Sequence, residues 1–134
     1  MTDQTPPPPP ALPAYGPGAP YAAAPVPLSP ADEKLWATLV HIGGILFVWI
    51  APLIGYLVLK DRGPFVRAHT AAALNFQLTM LIGYVIGFLT FFFVIGFVVF
   101  MAIPILSIVF GILAAVAANN GQYYTYPLSI KFLS

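Results

Sequence analysis

Polar and apolar positions along this chain fall into long blocks rather than a period of two or a mixed amphipathic pattern. From Ala68 to Ile130 there is no Asp, Glu, Lys or Arg, and Leu78 to Ala118 is almost wholly Leu, Ile, Val, Phe, Ala and Gly. At about 1.5 Å rise per residue a single helix over that inner block reaches roughly 60 Å, twice the hydrocarbon core of a bilayer. A helical hairpin that crosses twice is the economical reading. A second charge-free block, Leu35 to Leu59, lies between Lys34 and Lys60 and is long enough to span with some tilt.

The expected fold is therefore an all-α membrane protein. It has three transmembrane helices over about 35–59, 73–92 and 98–118, the last two forming a tight hairpin. Ser29, Pro30 and Asp32 mark the first helix start, with serine as cap and proline in the first turn. Pro52 predicts a kink, because it lacks an N–H and its ring displaces the carbonyl of Val48. Gly63 and Pro64 divide the first span from the second helix. The hairpin turn is expected near Phe93 to Phe97, where phenylalanines crowd around Gly96. Asn119, Asn120 and Gly121 stop the third span, and the Tyr123–Tyr126 group reads as an aromatic belt at the membrane surface.

Composition narrows the function. Of 134 residues, 60% are hydrophobic and 7% charged, against about a quarter charged in soluble domains; the mean hydropathy is +0.90. The lipid bilayer is the first partner. Five scattered Lys and Arg make no phosphate-binding stripe, so nucleic acid is excluded as a partner. The absence of cysteine excludes disulfides and thiolate chemistry, and no cofactor or metal is expected. Residues 1–30 hold eleven prolines, including Pro6 to Pro10, and read as a disordered arm with polyproline II character ahead of a helical domain over 31–134. That arm is a solvated tether or a ligand for a partner's aromatic groove.

The candidate chemistry is sparse. His41 is the one titratable group inside the first span, either a functional group or a neutral histidine bonded to another helix. Threading three spans puts His69, Asn75, Gln77, Asn119, Tyr123 and Tyr124 at one side of the membrane, away from His41. That polar cluster caps helix ends, or forms a recognition surface or the mouth of a polar path. Gly83 and Gly87 form a GxxxG, and Ser107 and Gly111 lie on a small-residue stripe. Folding about residue 95 sets Gly83 opposite Ser107 and Thr79 opposite Gly111 within the monomer, with a homo-oligomer through the glycines as the rival. No nucleophile, base or metal set converges, so no enzyme is expected. Lys60, Arg62, Arg67 and Lys131 outnumber Lys34, which places the connection over 60–70 and the C-terminal end in the cytoplasm and the arm outside.

Three stretches carry a family likeness: Ala37 to Gly44 with His41-Ile42-Gly43-Gly44, Phe65-Val66 through His69 to Ala73-Leu74-Asn75-Phe76-Gln77, and Tyr123-Tyr124 to Tyr126-Pro127-Leu128. Over about 32–133 the chain resembles small bacterial membrane proteins of a domain-of-unknown-function family. That family is similar to the twenty-kilodalton subunit of the chloroplast Tic import translocon. Where the family often has an acidic residue before Ala-Leu-Asn, this chain has Ala72. The resemblance implies a multi-pass protein of the bacterial cell membrane without assigned chemistry. The expected role is a subunit or scaffold of a membrane assembly, as a homo-oligomer or with other membrane proteins; a pore or carrier subunit, similar to a translocon component, is the alternative. Kinship of fold does not carry function.

Overall fold

The computed structural model describes residues 24–134, so the reading of most of the proline arm lies outside the described residues. Four helices follow in order: α1 (Pro30–Phe47), α2 (Ile50–Leu59), α3 (Pro64–Leu89) and α4 (Val94–Asn119). Among the described residues there is no strand. Ser29 caps α1 by accepting from the Asp32 N–H at 3.1 Å while its hydroxyl donates to the Asp32 carboxylate at 2.7 Å.

The expected first span is two helices, not one. Pro52 does more than kink it. The Val48 carbonyl has no N–H to meet at Pro52; α1 ends at Phe47, and Val48 turns to φ 54°, a left-handed value unusual for a β-branched residue. The chain then reverses. Cβ atoms placed on Gly43 and Gly55 would lie 2.8 Å from Ala51 Cβ and 2.6 Å from Val40 Cγ2, and the Pro52 ring packs on Gly44. Pairings such as 43 with 51 and 40 with 55 are those of antiparallel helices. The reversal is complete at the base, where the Leu28 N–H donates to the Arg62 carbonyl at 2.7 Å. With ten residues, about 15 Å, α2 covers half a hydrocarbon core and cannot cross it.

Three transmembrane helices are thus not supported. Two helices, α3 and α4, are long and apolar enough to span. In the most apolar stretch of α4 only 17% of residues are buried, so most of its Ile, Leu, Val and Phe side chains face outward, as lipid-facing residues do and core helices do not. The turn between them is Thr90–Phe93, earlier than expected, with the Phe93 N–H closing on the Thr90 carbonyl at 2.9 Å. Gly96 does not form this turn. It lies in the first turn of α4 against the Thr90 carbonyl, where a Cβ has no room. The centre of pairing moves from about residue 95 to about 93, which shifts each partner by four residues, about one helical turn. Gly83 therefore meets Ile103 rather than Ser107, and Gly87 lies against the backbone of Gly96 and Phe100.

Helices α1 and α3 form the centre of the bundle, each touching the other three, while α2 and α4 do not meet. Gly111 of α4 packs on Ile45 of α1, not on Thr79 of α3. The core falls into two clusters, Phe76, Met80, Ile103, Ala114 and Tyr126 in one and Val40, Leu59, Val66 and Ala73 in the other. The tip of the α1–α2 hairpin lies near the level of Met80, since Gly44 is bonded to Gln77. Beyond it α3 continues alone with α4 for roughly another 13 Å.

The C-terminal segment departs from a surface belt. After α4, the N–H groups of Gly121 and Gln122 close on the carbonyls of Ala118 and Ala117 with Gly121 at φ 74°, a Schellman cap. Residues 122–134 then dip along α3 and come back. Tyr126 is buried against Phe76, the Ile130 N–H reaches Thr79, and the Ser134 carbonyl accepts from Arg67. Leu128, at φ 64°, makes the reversal.

Candidate functional site

Irregular backbone at membrane depth needs protein partners for its amides, and α3 supplies them from residues one turn apart. Asn75 Oδ1 accepts from the N–H groups of Phe132 at 3.0 Å and Leu133 at 2.8 Å, while its Nδ2 donates to the Leu133 carbonyl at 2.8 Å. Thr79 Oγ1 accepts from the Ile130 N–H at 2.9 Å and donates to the Asn75 carbonyl at 2.8 Å. The Asn75 amide acts toward the tail as a peptide group of a neighbouring strand would.

Gln77, buried two residues on, serves α1. Its Nε2 donates at 2.8 Å to the carbonyl of Gly44, one of the four carbonyls that the end of a helix leaves without an internal partner. Glu33 does the converse for α3. Its carboxylate accepts the Val66 N–H at 2.9 Å, in the first turn of that helix, and fills the space beside Gly63. A negative group belongs at that positive helix end.

The centre of the site is a chain of hydrogen bonds joining three parts of the sequence. The Tyr126 hydroxyl lies 2.8 Å from His41 Nδ1, His41 Nε2 lies 2.8 Å from His69 Nδ1, and His69 Nε2 lies 3.0 Å from the Gln122 carbonyl. Both imidazoles are about 1% exposed. A carbonyl only accepts, so with neutral rings the proton of His69 is on Nε2 and its Nδ1 accepts. His41 must then donate from Nε2 and accept at Nδ1, and Tyr126 donates. The polarity of the whole chain follows from its last acceptor. Burial, and after it the neighbouring Tyr124, push the Tyr126 phenol well above the ordinary tyrosine range, which keeps its donor proton in place.

Aromatic faces close the cluster. Phe65 and Tyr123 flank His69 at ring-centre distances of 4.4 and 6.1 Å, Phe76 stacks on Tyr126 at 4.2 Å, and Tyr124 meets Tyr126 edge-on at 5.1 Å. A cleft of about 440 Å³ opens beside this group between α3 and the tail, with Ala72, Asn75, Tyr124, Ser129 and Lys131 among its lining. Every buried side-chain N or O atom among the described residues has a partner.

The residues singled out by sequence divide accordingly. His41 and His69, expected on opposite sides, are bonded to each other, because the α1–α2 reversal returns the chain to the side it entered. Asn75 and Gln77 are in the cluster, and Tyr123 and Tyr124 pack at its edge. Asn119 is exposed at the end of α4 and is not brought in. Gly83 and Gly87 face α4, Gly111 faces α1, and Ser107 is half-buried. Thr79, Tyr126 and the Gln122 carbonyl were not singled out for these roles. Tyr126 did stand in a family-like motif, and Thr79 lies four residues after Asn75 on one helical face, a signal of shared purpose. Among the described residues no group of three or more His, Cys, Asp or Glu is placed to hold a metal ion.

Residues 32–133 match the model of the MamF/MmsF family, described as the magnetosome magnetite crystal formation protein family, and the chain belongs to it. No curated protein and no solved structure matches. The family is one of small membrane proteins, in agreement with the two apolar helices. A specific likeness to the chloroplast import subunit finds no support in these comparisons.

Proposed function

We propose that this member of the magnetosome magnetite crystal formation family acts in that process as a non-enzymatic membrane component, a subunit or scaffold anchored by α3 and α4. The observation that carries the reading is that the central polar side chains are all engaged inside the molecule. His41, His69, Asn75, Gln77 and Tyr126 hold helix ends and the tail in place, and none is directed along a path between the two ends of the bundle. What the chain offers to partners is its surface: an apolar belt on α3 and α4, and one polar end that gathers Asp32, Glu33, Lys34, Lys60, Asp61, Arg62 and Arg67.

Lys34, Lys60, Arg62 and Arg67 gather here and no Lys or Arg lies near the Thr90–Phe93 link, which supports reading this end as the cytoplasmic one. The α1–α2 reversal brings residues 26–28 beside Arg62 at this same end, which supports a cytoplasmic start of the described chain in place of the outside start that three spans required.

The test is deletion and complementation in a magnetite-forming host, read by electron microscopy of the crystals, with native electrophoresis of mild-detergent extracts and ion flux in reconstituted vesicles. The expected result is altered crystal size or number, migration with other membrane proteins, and no flux above protein-free vesicles. Unaltered crystals overturn the role in crystal formation. Flux replaces the scaffold by a pore or carrier subunit.

A further inference from the structure

A groove of about 540 Å³ runs along the outer seam of the α1–α2 hairpin, away from the histidine cluster. Gly55 makes it. With no side chain there, α2 lies directly on Val40, and the larger residues flanking that contact stand up as walls, Trp36 and Leu39 from α1 and Ile54 and Val58 from α2. From Ala51 to Arg62 it extends roughly 16 Å, about half a hydrocarbon core. Its inner end is near the hairpin tip. Its outer end is at the polar face, where Arg62 is the one charged lining residue.

Charge and chemistry together choose the occupant. An extended polypeptide segment laid in this groove would find hydrocarbon along nearly its whole length and leave its N–H and C=O groups without partners, and a helix is too wide for a slot walled by single side chains. An acyl chain has no such groups, and the groove runs from the charged end inward, as an acyl chain does. The guanidinium of Arg62 donates Nε–H to the Val26 carbonyl, and its other N–H groups have no partner among the described residues. A phosphate at the mouth supplies that partner with opposite charge. Lys60 stands two residues before it, over the Tyr56 ring, and Asp61 is the acidic neighbour in sequence.

We propose that this groove is a binding site for an anionic phospholipid, one acyl chain lying between α1 and α2 and its phosphate on Arg62.

Trp36 on the groove wall provides the readout. The other tryptophan, Trp49, is at the hairpin tip. The full chain carrying Trp49→Phe is reconstituted in phosphatidylcholine vesicles with a small, equal mole fraction of either brominated phosphatidylglycerol or brominated phosphatidylcholine. Quenching of Trp36 is expected to be several-fold stronger with the anionic lipid. Arg62→Gln and the groove-filling Ile54→Phe should each bring the ratio close to one, while Arg62→Lys retains part of the preference. Trp36→Phe, reporting Trp49 alone, should show no preference. Added inorganic phosphate should leave the quenching unchanged.

Equal quenching of Trp36 by the two lipids overturns the proposal, as does a preference that survives both Arg62→Gln and Ile54→Phe. Loss of the preference on adding inorganic phosphate shows a free-anion site instead. Disulfide cross-linking between copies through Val58→Cys, at the rate of a stable dimer, shows that a second chain fills the groove.

Discussion

Tyr126→Phe isolates one hydroxyl in a setting where nothing can take its place. The ring stack on Phe76 and the buried apolar area survive the change, so the hydrophobic contribution is constant. What is lost is the donor to His41 Nδ1, 2.8 Å away. His41 cannot recover by moving its proton to Nδ1, because His69 Nδ1 needs the Nε2 proton of His41, and His69 must keep its own on Nε2 for the Gln122 carbonyl. A buried acceptor is left unsatisfied, at a cost of about 1–3 kcal/mol. The control is Tyr123→Phe. That side chain is 67% exposed and its hydroxyl has no partner among the described residues, so the change should stay within about 0.5 kcal/mol. Reversible unfolding in mixed micelles, followed by tryptophan fluorescence, measures both. Nitrogen NMR of the imidazoles should show both histidines protonated at Nε2. If Tyr126→Phe is as stable as Tyr123→Phe, or either ring carries its proton on Nδ1, the directional chain of hydrogen bonds is refuted.

Three further outcomes follow from the geometry. Gly96→Ala places a Cβ against the Thr90 carbonyl, backbone that cannot retreat, whereas Gly83→Ala meets only the end of the Ile103 side chain at 3.0 Å. Micelle unfolding should show Gly96→Ala as the costlier by at least about 1 kcal/mol, and equal stabilities contradict the turn as described. Asn75→Leu removes three hydrogen bonds to Phe132 and Leu133. It should speed hydrogen exchange and proteolysis at residues 128–134 while α4 stays protected, and unchanged exchange there contradicts the strand-like role of Asn75. Single cysteines at Ala24, Asp61 and Gln122 should react with an impermeant reagent from one and the same side of the membrane. Reaction of Ala24 from the side opposite to Gln122 restores the three-span arrangement.

Much of this architecture was legible in residue order, and the limits of legibility are physical. Hydropathy reports how long a segment stays apolar, and it placed α3 and α4 well. It does not report direction, so a crossing helix and one that turns back at mid-depth give the same trace. The Leu35–Leu59 block held the decisive sign in Pro52 with the glycines at 43, 44 and 55. A proline interrupts the helix, and small residues symmetric about the interruption let its halves close. Reading Pro52 as a kink rather than a reversal sent His41 to the wrong side and hid its bond to His69. Tyr126 illustrates the other limit. A tyrosine beside a proline near the membrane surface fits an interfacial belt, and its burial depends on Asn75 and Thr79 drawing the tail inward, an interaction across more than fifty residues. The register of α3 on α4 failed for a smaller reason: the turn's one polar residue, Thr90, turns its hydroxyl back onto the Ile86 carbonyl, and an error of two residues in the centre of pairing displaces every partner by four, about a full helical turn.

The return of α1–α2 to its side of entry bears on how the chain enters its membrane. Residues 24 and 134, the 60–63 connection and the charged groups near them stay on one face throughout. Among the described residues, the only backbone at the far end of the two long helices is the short link at Thr90–Phe93, which bears no ionic group. Insertion of the described residues in this arrangement transports no hydrated charge across the hydrocarbon, and the two long helices can enter as a preformed pair, tip first.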